Sequence, residues 1–201
     1  MADFTGDVNS NIITGTANAD TISGGGGDDS LYGLGGNDTI NGDSGDDLID
    51  GGDGNDSLYG GDGNDEIITG SGNDLVVGGD GADFIDVGSW LNTLDRIDGS
   101  TDLSGGIDVL SIYGVYSSYV VFDADTVRNV ERFSIGTGQV RLTLHAQTNV
   151  TWIDAAGQLQ TDSLYLNGAA ATNNMTITGG AGADIITGGS GNDIIIGGAG
   201  Q

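Results

Sequence analysis

The chain contains no cysteine, proline or lysine, and it has only four arginines among 201 residues. The absence of cysteine excludes a disulfide framework and a zinc–thiolate site. Thirty acidic residues give a net charge of -26, which argues against nucleic acid and anionic membranes as partners because both repel such a surface. No apolar stretch approaches the roughly 20 residues of a spanning helix. We therefore expect no membrane span.

The composition that is present favours turns and hard cations. Forty residues are glycine, and all but two of the acidic residues are aspartate. Asp and Gly are turn formers, and short carboxylates in turns are ligands of the kind that calcium prefers. The hydrophobic content of 36%, regularly spaced, argues against a disordered acidic chain. The first residues, MADFTGDVNSN, lack the basic and apolar regions of a secretory signal peptide, so we expect any export signal elsewhere.

A nine-residue repeat runs without a gap from residue 15 to residue 86. Its first units read GTANADTIS (15–23), GGGGDDSLY (24–32) and GLGGNDTIN (33–41). Position six is aspartate in all eight units: Asp20, Asp29, Asp38, Asp47, Asp56, Asp65, Asp74 and Asp83. Position eight is aliphatic in all eight: Ile22, Leu31, Ile40, Ile49, Leu58, Ile67, Val76 and Ile85. In a short strand that alternates out-in-out, only position eight points into the core.

The repeat returns at the C-terminus. Full units occupy 179–187 and 188–196, with Asp184 and Asp193 at position six. Residues 170–178 align as a further unit with Met175 in place of the aspartate, and we expect that unit to keep its strand through Ile177. GGAGQ (197–201) begins another unit and stops before its aspartate, which suggests a fragment of a longer chain.

These units resemble the glycine-rich nonapeptide of the RTX (repeat-in-toxin) family, G-G-x-G-x-D-x-U-x with U a large aliphatic residue. The resemblance implies that six residues form a turn and three form a strand. It implies an all-β fold, in which two units make one coil of a parallel β-roll and calcium ions lie between stacked turns. The expected cofactor is therefore Ca2+, with about six ions in 15–86.

The resemblance also implies a ligand set shared by units two apart. One turn offers the carbonyls of positions two and four with its aspartate, and the other offers those of positions one and three with its own. Beside the aspartates, the implied ligands are Gly25, Gly27, Gly33, Gly35, Gly36, Gly42, Ser44, Gly45, Gly51, Gly52, Asp53, Gly54, Gly60, Gly61, Asp62, Gly63, Thr69, Ser71, Gly78 and Asp80. The first unit departs from the pattern at Thr16, Ala17 and Asn18, so we expect its site to be weak.

Residues 87–169 interrupt the repeat and contain all four arginines, both tryptophans and His145. Alternating β-branched and polar residues favour strands. The segment resembles regions that interrupt RTX arrays in bacterial surface-layer and other type I secreted proteins. We expect less regular β coils stacked on the roll, with a separate small β-sandwich as the alternative. The expected organisation is a cap (1–14), the roll (15–86), this segment (87–169) and a second roll (170–201).

No catalytic signature is present: the chain lacks H-E-x-x-H and G-x-S-x-G, and His145 is its only histidine. The chain is therefore expected not to be an enzyme. The expected function is a calcium-binding structural module of a secreted or cell-surface bacterial protein of surface-layer, matrix or adhesin type. The alternative is the folding and export module of a type I secreted enzyme whose catalytic domain lies outside this chain.

Calcium affinity points to an extracellular location, because module sites of this kind bind at roughly 10⁻⁴–10⁻³ M. Folding should then be coupled to calcium binding outside the cell. The resemblance implies a type I secretion route. The apolar strand 194–196 beside an incomplete turn also predicts calcium-dependent self-association through the C-terminal edge.

Overall fold

A computed structural model describes residues 1–100, 106–116, 120–122, 126–145 and 150–200. Within these ranges every regular element is a β-strand, and no helix could cross a membrane. The strands are β1 (Asp3–Thr5), β2 (Ile12–Thr14), β3 (Thr21–Gly26), β4 (Ser30–Tyr32), β5 (Thr39–Ser44), β6 (Leu48–Asp50), β7 (Ser57–Asp62), β8 (Glu66–Ile68), β9 (Leu75–Asp80), β10 (Phe84–Gly88), β11 (Arg96–Asp98), β12 (Val109–Val115), β13 (Val120–Phe122), β14 (Val127–Arg128), β15 (Arg132–Leu144), β16 (Trp152–Asp154), β17 (Ser163–Asn167), β18 (Thr176–Thr178), β19 (Ile185–Thr187) and β20 (Ile194–Ile196).

The strands form two parallel sheets, which together make a β-roll. The smaller sheet has the order β1-β3-β5-β7-β9-β11-β14, and the larger follows the path β2-β4-β6-β8-β10-β12-β15-β16-β18-β20. Neighbours in the repeat region are units two apart: Ile22 pairs with Ile40, and Ile40 pairs with Leu58. The all-β parallel roll predicted from the sequence is confirmed.

The core of the roll is a double column of aliphatic side chains. The eight residues at position eight, from Ile22 to Ile85, are all 0% exposed. Their flanking residues at positions seven and nine are more accessible, as the alternation of side chains along a strand requires. Each unit therefore contributes one fully buried side chain, and the core is a narrow line between the two sheets.

The two sheets differ in strand length, which the sequence analysis did not anticipate. Strands β4, β6 and β8 have the expected three residues, whereas β3, β5, β7 and β9 have six. In the longer strands the pairing skips one residue and resumes inside the following turn, where Gly25 pairs with Asp43 and Gly26 with Ser44. The three-residue expectation is wrong for this sheet because two further residues of each turn pair with the next turn and extend the strand. In the other sheet the turns pair only through isolated bridges, as between Gly35 and Asp53.

The N-terminal segment 1–14 forms one more coil. Strand β1 pairs with β3 and β2 pairs with β4, while Phe4 and Ile13 pack against the core. Residues 6–14 follow the repeat in outline, with Asn11 where the other units have aspartate. This coil covers the end of the aliphatic column.

The segment 87–169 continues the stack, as expected, and does not form a separate sandwich. Strand β11 pairs with β9, and β12 pairs with both β10 and β15. Here the core widens around Phe122 and Phe133, whose rings meet edge to face at 5.3 Å. The C-terminal units rejoin the roll through β16-β18-β20 and β17-β19, and residues 170–178 keep their strand with Ile177 buried.

Candidate metal centre

The aspartates at position six form two ladders, one leading into each sheet. In both ladders the backbone N–H of one aspartate donates to Oδ1 of the aspartate two units later, as from Asp38 to Asp56 (2.8 Å) and from Asp47 to Asp65 (2.9 Å). All eight aspartates of 15–86 are at most 4% exposed. The structure thus brings the predicted column together as two buried stacks of carboxylates.

The second carboxylate oxygen, Oδ2, is buried without a hydrogen-bond partner at each aspartate from the second unit to the sixth. They are Asp29, Asp38, Asp47, Asp56 and Asp65. A buried charged oxygen without a partner has lost its hydration and gained nothing in return. The chain has no lysine, and its first arginine is Arg96, so the repeats themselves contain no basic side chain to offset these charges.

The glycine at position one shows where Oδ2 points. A methyl group on Gly24 would overlap Oδ2 of Asp29 and lie 2.7 Å from the carbonyl oxygen of Gly42. The same arrangement recurs at the position-one glycines that open the other turns with an unpartnered oxygen, namely Gly33, Gly42, Gly51 and Gly60. An aspartate of one turn and the position-one carbonyl of the turn two units later therefore face one small space. Both of these oxygens belong to the ligand set that the family resemblance implies.

The remaining implied carbonyls lie where the turns stack on each other. The position-two carbonyl of Leu34 accepts from the N–H of Asp53 (3.0 Å), and the position-three carbonyl of Asp53 accepts from the N–H of Gly36 (2.8 Å). The position-four carbonyl of Gly36 points at Gly54, where a methyl group would overlap it. The implied residues at positions two, three and four thus lie at the same contact between turns as the aspartates, and their role as ligands stays a prediction.

The backbone at position two distinguishes the first turn of the roll from the turns that follow it. Position two has a left-handed φ at Gly25, Leu34, Asp43, Gly52 and Gly61, in the five turns named above, and also at Gly70 and Gly79 in the last two turns of the roll. Two of these residues are not glycine, and a side chain makes that conformation costly. Strain of this kind persists where the surrounding structure requires it.

The first turn, 15–20, is different because it satisfies its own aspartate. Thr16 donates to Oδ2 of Asp20 through both its N–H (2.7 Å) and its Oγ1 hydroxyl (2.8 Å). The φ of Thr16, at position two of this turn, is not left-handed. The expected weakness of this first site therefore has a specific contact behind it, with a protein hydroxyl at the oxygen that would face a cation.

Burial and mutual repulsion raise the pKa of the interior aspartates. Desolvation is the larger cause, with the negative charges of the neighbouring aspartates adding to it. The pKa rises to about 6 at Asp47 and Asp56 and to about 7 at Asp65 and Asp74. Such values mean that the ionised column is unfavourable in the metal-free fold. A bound cation would reverse that preference.

The donor chemistry fits calcium. Each gap between stacked turns has carboxylate oxygens and backbone carbonyls, which are the hard ligands that Ca2+ takes. Among the described residues, no three His, Cys, Asp or Glu side chains converge on a point, so the gaps would depend on carbonyls for most of their ligands. Flexible oxygen-rich sites of this kind suit calcium better than magnesium, which demands a tighter octahedron and releases water reluctantly.

Both ladders extend beyond the repeat, and the sequence analysis missed this. Asp74 donates from its N–H to Oδ1 of Asp95 (2.9 Å), and Asp83 donates to Oδ1 of Asp108 (2.9 Å). Asp108 in turn donates to Oε2 of Glu131 (3.1 Å). The signal was present as an acidic residue two places before a large apolar one, in DRID (95–98), DVLS (108–111) and ERFS (131–134).

The C-terminal aspartates are less buried than those of the first roll. Asp193 Oδ1 accepts from the N–H of Met175 (3.0 Å), so the unit that lacks its aspartate still stacks in register. Asp184 Oδ2 accepts from the N–H of Gly180 (2.9 Å), in the manner of Asp20. A methyl group on Gly179 would lie 2.7 Å from both Asp184 Oδ2 and the Gly197 carbonyl, which places those two oxygens at one gap.

A family model for the RTX calcium-binding nonapeptide repeat matches this chain in four copies, at residues 5–40, 32–67, 59–89 and 176–201. The copies cover more than half of the chain, and the chain belongs to this family. It is a calcium-binding repeat protein, and the first match begins inside the coil formed by the N-terminal segment. Neither a curated protein nor a solved structure matches the chain.

Proposed function

We propose that this chain is a calcium-stapled structural module of a secreted or cell-surface bacterial protein, of surface-layer, matrix or adhesin type. The observation that carries the proposal is the set of five buried, unpartnered carboxylate oxygens at Asp29, Asp38, Asp47, Asp56 and Asp65. Each faces a position-one carbonyl across a gap between turns. We assign a calcium site to each of those gaps. The gap at Asp20, where Thr16 already donates to the carboxylate, is assigned a weaker site.

The proposed consequence is that the chain folds only when calcium binds. The roll buries one aliphatic side chain in nine residues, and its interior carries like charges that repel. An ion that binds the folded roll and not the unfolded chain stabilises the roll by mass action. At module affinities of roughly 10⁻⁴–10⁻³ M, the chain would stay unfolded in a cytosol and fold outside the cell.

Far-ultraviolet circular dichroism in chelator and in millimolar calcium tests the proposal. We expect a largely disordered chain in chelator and a cooperative gain of β structure with calcium, since each interior aspartate is shared by two gaps. Magnesium at the same concentration is the matched control and should restore much less. The same β content with and without calcium would overturn the proposal.

We further propose that the chain is not itself catalytic. The carboxylates of the roll repeat in one environment from Asp29 to Asp65, whereas catalysis by paired acids needs two groups in unlike environments. The alternative role, as the folding and export module of an enzyme, uses the same sites. An assay of the full-length gene product with and without residues 15–86 separates the two roles.

We also propose calcium-dependent self-association through the C-terminal edge, with a second copy of this chain as the partner. Among the described strands, β20 has one neighbour, β18, and its side chains Ile194, Ile195 and Ile196 are 60%, 48% and 52% exposed. An open apolar strand edge pairs readily with another strand. Calcium would neutralise much of the charge that opposes contact.

Sedimentation velocity at high protein concentration tests this association. We expect a larger species in calcium than in chelator, reduced by Ile195→Lys. Leu75→Lys, which adds the same charge at an outward position in the seventh unit of the roll, away from β20, should leave the association unchanged. A monomer at high protein and calcium concentration would count against the proposal.

A further inference from the structure

The turn formed by residues 90–95 lies at the end of one aspartate ladder, where the nonapeptide has already been lost. Asp74 donates from its N–H to Oδ1 of Asp95 (2.9 Å), and β11 pairs with β9. The turn therefore stacks on turn 69–74 as a repeat turn would. Its residues come from the irregular segment, so its interior need not copy the turns below it.

The side-chain amide of Asn92 lies in the gap between these two turns. Nδ2 of Asn92 donates to the position-four carbonyl of Gly72 (2.7 Å) and to Oδ1 of Asp95 (3.1 Å). These acceptors are a carbonyl of the lower turn and a carboxylate of the upper turn. A position-four carbonyl of the lower turn and the aspartate of the upper turn both belong to the ligand set implied for a gap between stacked turns.

Asn92 also satisfies the other carboxylate oxygen of Asp95. Its backbone N–H donates to Oδ2 at 2.7 Å, and the side chain itself is fixed by the N–H of Leu94, which donates to Oδ1 of Asn92 (2.8 Å). Asp95 thus has donors on both oxygens, in contrast to Asp38 and Asp56, whose Oδ2 atoms have none. The neutral amide supplies N–H groups where the other gaps require a cation.

We propose that Asn92 closes this ladder by taking the place of a calcium ion, so that the gap between turns 69–74 and 90–95 binds no metal. The inference rests on the proposed calcium sites of the roll. It adds that the series of sites in this ladder ends below turn 90–95. Asn92→Asp replaces the donating NH2 by an oxygen. The backbone N–H groups of Asp74 and residue 92 would still donate to Asp95, but the side-chain donor between Asp95 and the carbonyl of Gly72 would be gone. Two carboxylates and a carbonyl brought together in this way are the ligands that a hard cation takes.

Calcium titration by isothermal calorimetry tests the rule, with calcium ion itself as the probe. Asn92→Asp should bind one more calcium ion per chain than the unaltered protein. Asn41→Asp, which makes the same charge change at an exposed strand position, should leave the number unchanged. An unchanged number in Asn92→Asp, when the unaltered protein binds calcium, would overturn the inference alone. Absence of calcium binding by the unaltered protein would instead overturn the proposed function.

A second measurement uses the unaltered protein and does not depend on the variant folding. In the calcium-loaded state, the side-chain NH2 protons of Asn92 should exchange slowly with water in a nitrogen-15 NMR spectrum, because both acceptors remain with the amide. Rapidly exchanging Asn92 protons in the calcium-loaded protein would contradict the inference.

Discussion

The regular roll (15–86) and the irregular segment (87–169) belong to one parallel stack but are held together differently. The core of the roll has one aliphatic side chain per nine-residue unit, and buried carboxylates of the roll have Oδ2 atoms without hydrogen-bond partners. The segment has a wider core with Phe122 and Phe133, and its outer face has arginine contacts that satisfy charge within the chain. Arg132 pairs with Asp154 at 2.9 Å and lies over the ring of Trp152.

We interpret the difference as two ways of stabilising a parallel β-solenoid, by bound ions in the roll and by a larger core in the segment. In the roll, short strands leave so little apolar surface that the turns must contribute, and the turns are built from like charges. In the segment, the 13-residue strand β15 brings more apolar side chains inward, and Arg128 forms an ion pair with Asp98 (2.8 Å). We therefore expect calcium to matter for the first region and packing to matter for the second.

The largest expected effect comes from the core of the irregular segment. Phe133→Ala should destabilise the calcium-loaded protein by about 3–5 kcal/mol, because a fully buried ring is lost and its contact with Phe122 goes with it. Denaturant unfolding followed by tryptophan fluorescence measures this loss. Tyr113→Ala, at an exposed position, is the control. A loss below about 1 kcal/mol would indicate that the segment is not held by its core.

The next effect concerns the position of an aspartate in its ladder. Asp56→Asn should raise the midpoint of the calcium titration by about tenfold or more, equivalent to about 1.4 kcal/mol, since Asp56 borders two gaps. Asp20→Asn should change the midpoint much less, because Thr16 already satisfies Asp20. Asp193→Asn should also have a small effect, since Met175 stacks on it in place of an aspartate. Equal midpoints for the three variants would contradict the stacking argument.

A smaller effect is expected from pH in calcium-free buffer. The raised pKa values, about 7 at Asp65 and Asp74, mean that the fold binds protons that the unfolded chain releases. The metal-free roll should therefore lose stability as pH rises from about 4 through about 7, and gain it on acidification. Circular dichroism at about pH 5 should show more β structure than at about pH 8. Calcium binding should follow the opposite trend, because protons compete for the same oxygens.

The smallest effect is relief of backbone strain at position two. Leu34 has a φ of 75° and is 53% exposed, so its side chain gains little from burial and pays for an unfavourable conformation. Leu34→Gly should stabilise the calcium-loaded roll by about 0.5–1 kcal/mol. The control is Leu31→Gly, which removes a fully buried side chain and should destabilise strongly. Destabilisation by Leu34→Gly would show that the left-handed conformation is not strained.

Much of this fold was readable from the sequence because the repeat fixes it locally. The spacing of nine predicted the inward position eight and the aspartate column, and the family resemblance predicted the stack of units two apart. Those features depend on strand alternation and on a turn of constant length. Even the degenerate unit with Met175 was placed correctly, because its strand pattern survives where its ligand does not.

The rest depended on contacts that the spacing does not encode. In the roll the ladder bonds join residues 18 apart, but the separation becomes 21 between Asp74 and Asp95 and 25 between Asp83 and Asp108. Insertions in the turns hide the column from a nine-residue register. Thr16 donates to Asp20 and Asn92 donates to Asp95 because one backbone N–H and one side chain in each turn point towards the carboxylate. Residue type alone does not fix that direction.

Hydrogen exchange measured by mass spectrometry, with and without calcium, tests the central claim most directly. The account predicts that amides of residues 21–86 lose most of their protection in chelator, while those of the buried strand 132–144 lose less. Residues 132–144 serve as the internal control, because both regions are measured in one molecule under one condition. Unchanged protection of residues 21–86 in chelator, or an equal loss in both regions, would contradict the claim that calcium holds the roll and packing holds the segment.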